Sequence, residues 1–138
     1  MDAIEERLER FLVPLNDHQR RAFAYAFRTW REGGGALVAV GRGIALQAPW
    51  EGRRLTVLWA YGPAGRNRPP RLEAPLGTLA RSSVPPDLVE SWRDDLTTVS
   101  GMSSSVDGAN PTASVSDGFD DSDARKLMES ALAFARRI

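Results

Sequence analysis

The chain has 138 residues, 42% of them hydrophobic, and its 18 basic and 18 acidic side chains leave a formal net charge of zero. That length can bury one sizeable core and suits a single domain. The lack of cysteine excludes disulfides, iron–sulfur clusters and thiolate zinc sites, and no apolar run approaches the roughly 18 residues of a membrane span.

The first helix is expected from Asp2 to Val13. Ile4, Leu8, Phe11, Leu12 and Leu15 recur at helical spacing, charged residues lie between them, and Pro14 stops the run. Acidic residues stand where a secretory leader needs a basic start, so Met1 to Leu15 reads as mature protein. Together with the missing cysteines this suggests a cytoplasmic setting. A second helix starts at the N-cap Asn16, with Gln19 placed to close a capping box, and ends at Gly33-Gly34-Gly35. Phe23, Ala26, Phe27 and Trp30 make its apolar stripe.

The period then changes. Ala36–Val40, Ile44–Ala48 and Leu55–Tyr61 read as strands, with Gly41-Arg42-Gly43 and Trp50-Glu51-Gly52 as turns. Links this short force antiparallel pairing. Arg71–Ala74 is a candidate fourth strand. Unbroken alternation along the third strand puts Leu55, Val57, Trp59 and Tyr61 on one face and Thr56, Leu58 and Ala60 on the other. The second face is too apolar to stand in water, so the C-terminal helix or a second copy of the chain should cover it.

Two helices follow, from Asp87 to Leu96 and from Ser122 to Ile138, the latter with Leu127, Ala131, Phe134 and Ile138 as its stripe. The stretch between them, 97–119, is rich in Ser, Thr, Gly and Asp without apolar period, and is expected to be a mobile loop. The fold class is therefore α+β in one domain, 1–138: an N-terminal helical pair, an antiparallel meander of three or four strands, and two C-terminal helices.

Motifs for catalysis are weak. Gly62-Pro63-Ala64-Gly65-Arg66 lacks the spacing and the Lys-Ser/Thr pair of a phosphate-cradling loop, and reads as a turn. Gly101-Met102-Ser103-Ser104-Ser105 begins like a nucleophile elbow but lacks the last glycine, and the sole histidine, His18, sits early as an exposed helix residue. Asp117, Asp120, Asp121 and Asp123 suggest a cation site. A calcium-binding loop starting at Asp117 would need Glu where Met128 stands, and acids at a helix start explain the cluster more simply.

Charge is sorted by region. Residues 36–81 carry seven arginines against two glutamates, a net +5, and residues 82–138 carry five basic and ten acidic side chains, a net −5. Arg53, Arg54, Trp59, Arg66, Arg68 and Arg71 form the candidate binding set. Arginine beside aromatic rings suits single-stranded nucleic acid. A solvated arginine edge, or a basic loop lying against the acidic C-terminal part, explains the same residues without a ligand.

The function expected is that of a small non-enzymatic binding or adaptor protein. It should pair with itself as a homodimer or with another protein, without a cofactor, a metal or a membrane. Nucleic-acid binding through the arginine loop 66–71 is the alternative, and a metal-dependent carboxylate enzyme the weaker one.

Overall fold

A computed structural model describes residues 2–64, 68–103 and 110–138. The fold is α+β, with an N-terminal helical pair, a six-stranded antiparallel sheet and C-terminal helices. The pair consists of α1 (Ala3–Leu12) and α2 (Asp17–Glu32). Asp2 caps α1, and Asn16 and Gln19 close the expected capping box on α2. Phe11 of α1 packs edge-on against Phe23 and Phe27 of α2, with ring centroids 5.0 and 5.4 Å apart. At the far end of α2, the buried Trp30 donates its indole N–H to the carbonyls of Ala36 and Gln47. This pins the helix to the sheet. Gly35 is required there, because any side chain would overlap the Trp30 ring.

The meander is β1 (Ala36–Val40), β2 (Gly43–Trp50) and β3 (Arg53–Tyr61), paired antiparallel in sequence. Its turns use the left-handed region at Gly41, with φ of 55°, and at Glu51 and Gly52, with φ of 49° and 74°. β4 (Arg71–Glu73) joins β3, followed by the short α3 (Leu76–Ala80) and by α4 (Pro86–Leu96). Segment 97–119 departs from the expected loop. Its described part holds β5 (Met102–Ser103) and β6 (Thr112–Ser114), and the sheet order is β1-β2-β3-β4-β6-β5. Strands of two and three residues are too short to show a period, yet Val99, Ala113, Val115 and Phe119 are all buried. Residues 104–109 of the expected loop lie outside the described residues.

The last helix, α5 (Asp121–Arg137), is capped by Asp120 in a box with Asp123, the one buried acid among the described residues. Leu127, Met128, Ala131 and Phe134 face inward, and Phe134 stacks on Trp92 of α4 at 5.6 Å.

All five helices bury their apolar residues in one core with Ile44, Leu46, Leu58, Ala60, Leu72 and Ala113 of the sheet. The helices therefore share one face of the sheet, that of Leu58 and Ala60, which α5 helps to cover as expected, and no helix among the described residues lies on the other. The face assignment in β3 also changes. Leu46 pairs with Leu58 and Gln47 with Thr56, so Val57 is an extra residue forming a bulge. After it the alternation shifts. Leu58 and Ala60 enter the core, while Trp59 and Tyr61, expected on the inner face with Leu55 and Val57, point the other way.

Candidate functional site

The sheet face turned away from the helices follows from register and alternation. One row across it is Val40, Gly43, Tyr61, Arg71 and Ser114, and the next is Val38, Ala45, Trp59, Glu73 and Thr112. Ala45 is fully buried but stands apart from the helical core, in the row with the Trp59 indole. Trp59 and Tyr61 are half-buried and stacked, with centroids 5.7 Å apart and planes 18° from parallel. The Arg71 guanidinium sits 4.4 Å from the Tyr61 ring centroid. Val40, 46% exposed, lies at the rim of this face. Farther along, Gln47 donates its side-chain amide to the Thr56 hydroxyl at 3.1 Å.

Electrostatics on this face are nearly balanced. Burial, then repulsion from Arg68, lowers the pKa of Arg71, while Glu73 and Tyr61 oppose that shift. Burial first, then Glu73, raises the Tyr61 phenol, and Arg71 opposes. The Nε of Arg71 is buried without a hydrogen-bond partner among the described residues. A carboxylate thus sits two residues from a guanidinium on the same strand and the same face.

Of the sequence-derived set, this arrangement unites Trp59 and Arg71, with Arg68 near the base of the loop through a bridge to Ala64. Arg66 lies outside the described residues. Arg53 and Arg54 pair with Trp50 and Pro49 at the opposite end of β3. Trp59 stands five positions beyond Arg54, roughly 17 Å along a strand, so these two arginines do not join the group. Glu73, Val38 and Val40 were missed as members of the face. Strand alternation in β1 and β4 carried that signal, but it had no meaning until the sheet order was known.

Among the described residues, no ion pair joins the acidic C-terminal part to the basic middle. Among the described residues its cross-element ion pair runs from Asp121 to Arg21 of α2, at 3.2 Å, and no ion pair links it to Arg53, Arg54, Arg68 or Arg71. The aspartates serve the start of α5 instead. No group of three His, Cys, Asp or Glu side chains among the described residues could hold a metal ion. His18 is more engaged than an exposed helix residue: its Nε2 donates to the Ser116 carbonyl at 3.0 Å and ties α2 to the segment after β6. Among the described residues no helix is long and apolar enough to cross a membrane.

No family model matches the chain, and no curated protein or solved structure resembles it at a significant level.

Proposed function

We propose that this chain is a small non-enzymatic binding protein whose working surface is the open sheet face, and that the partner seated there is a second copy of the chain. The observation that carries this reading is the stacked Trp59–Tyr61 pair standing outside the helical core beside Val38 and Val40. Contiguous apolar surface of this kind marks interfaces, and aromatic side chains are enriched at their centres.

Self-pairing is favoured because a two-fold interface must be self-complementary. Arg71 and Glu73 supply both signs on one strand, so each copy can offer a guanidinium to the other's carboxylate. Six strands at about 4.8 Å spacing make a face roughly 24 Å wide. The edge strand β1 is five apolar residues without a charge or proline, a second feature that invites association. Nucleic acid fits the face less well. Tyr61 is already engaged by Trp59 and Arg71, and Glu73 would repel phosphates. The cysteine-free composition supports a cytoplasmic setting.

Sedimentation equilibrium at micromolar concentration should give about twice the 15.1 kDa chain mass. Trp59→Glu and Val38→Glu should give monomers that keep the parent's circular dichroism. A parent that stays monomeric across the range would end the self-pairing reading and leave a different protein as the occupant of the face.

A further inference from the structure

A cleft of about 250 Å³ opens between α1 and the β1–β2 turn, lined by Arg7, Arg10, Phe11, Arg42 and Ile44. Among the described residues, three arginines and no carboxylate line it. Arg7 is fixed by donating its Nη2 to the Gly41 carbonyl at 2.7 Å, which also ties α1 to the turn bearing Arg42. Arg10 and Arg42 are exposed and make no ion pair among the described residues. Phe11 and Ile44, both largely buried, form an apolar floor.

Three like charges in one lining favour an anionic ligand. The acids of α1 are directed elsewhere: Glu5 pairs with Arg31 of α2, and Glu6 and Glu9 are exposed and outside the lining. Other basic residues gather at the same end of the sheet. Arg42 adjoins the row that holds Tyr61 and Arg71, and Gly62, at the start of the β3–β4 loop, approaches the Phe11 ring.

We propose that this cleft is a binding site for a soluble phosphate monoester, with the phosphate held by Arg7, Arg10 and Arg42 and its organic part resting on Phe11 and Ile44. Guanidinium forks match phosphate oxygens in geometry as well as charge. A lone carboxylate offers two oxygens and one charge, too little for three forks. A phosphate monoester offers three terminal oxygens and up to two charges. The ligand is soluble, not a bilayer headgroup, because Glu6 and Glu9 on the same helix would repel an anionic membrane. The proposal does not depend on self-pairing, since its residues lie outside the open-face rows.

The test is calorimetric titration of the full chain at low ionic strength with phenyl phosphate, inorganic phosphate and benzoate. Phenyl phosphate should bind best, and added salt should weaken it. The double variant Arg10→Ser, Arg42→Ser should lose about tenfold or more in affinity, the scale of one charge-assisted hydrogen bond. Arg125→Ser, on α5, should bind like the parent. Melting curves should be unchanged, because Arg10 and Arg42 hold no other element in place. If the double variant melts early, Arg10→Lys with Arg42→Lys replaces it and should show a smaller loss. Absence of saturable phenyl phosphate binding, full affinity in the serine or lysine variant, or an equal loss in Arg125→Ser would overturn the site. Equal affinity for inorganic and phenyl phosphate would overturn the role of the floor. Tighter binding to phosphatidate vesicles than to phenyl phosphate in solution would overturn the soluble class.

Discussion

Leu127 is fully buried in α5, and Phe134 is nearly so and stacked on Trp92. Truncating either to alanine removes contacts that surrounding rings cannot replace. Each substitution should cost ~2–5 kcal/mol in urea unfolding, whereas Arg125→Ala on the exposed side should cost under ~0.5 kcal/mol. Equal small losses at all three positions would mean that α5 is not docked. The apolar stripe of this helix was readable in the sequence because a 17-residue element shows its period several times over. Tyr61 makes a different prediction, tied to pH. Its folded-state pKa is raised, so its contribution is fully present below the unfolded pKa of 10.0 and is lost as pH climbs through the folded value. Thermal stability should therefore fall in strong alkali. Tyr61→Phe should make that fall shallower, as followed by circular dichroism melts. An identical slope in the variant would show that the phenol has no part in it.

Among the elements, the long ones were legible and the short ones were not. Both N-terminal helices, the meander and the last helix could be placed from period, capping residues and glycine turns. β5 and β6 could not, because two or three residues in a Ser/Thr-rich stretch carry no period and win their place by pairing with β4. The described part of that stretch is core-forming: Phe119 is 1% exposed and sits just before the α5 cap. Phe119→Ala should cost about 3–5 kcal/mol, the scale for a buried phenylalanine. Denaturant midpoints of the variant and the parent compare this directly, and a loss below about 1 kcal/mol would show that the segment contributes little to the core. The candidate set was legible only in part. Arginine and tryptophan were visible as residue types, but Arg54 and Arg71 sit at opposite ends of the sheet, and distance along a strand outranks likeness of composition.

At the scale of the whole molecule, the architecture is one-sided. Among the described residues, five helices on one face of six strands leave the other face to its own side chains, and those prove to be aromatic and of mixed charge. The regional charge imbalance in the sequence is resolved differently from what its order suggests. Asp120, Asp121 and Asp123 attend to their own helix and to Arg21, while Arg7 and Arg10 of α1 line one cleft with Arg42 of the basic middle. Counting by region conceals this, because residues 1–35 carry six arginines and six acids, so that Arg7 and Arg10 are balanced in number by acids that lie outside the cleft.

The bulge at Val57 has one more consequence, for how this protein can change over time. Insertions and deletions are ordinarily tolerated in loops and ruinous in a central strand, since losing one residue turns every later side chain to the wrong side. β3 carries a position where that rule is suspended. Leu55 and Thr56 before the bulge, and Leu58 to Tyr61 after it, already stand in the phase that a regular ladder without Val57 would give them. Deleting Val57 would keep each remaining side chain of the strand on its present face, with the loss of one buried valine. Deleting Ala60 instead would require the bulge to move or Trp59 and Tyr61 to part to opposite sides. The middle of the sheet thus contains a point at which the length of the chain can vary while its two surfaces stay the same.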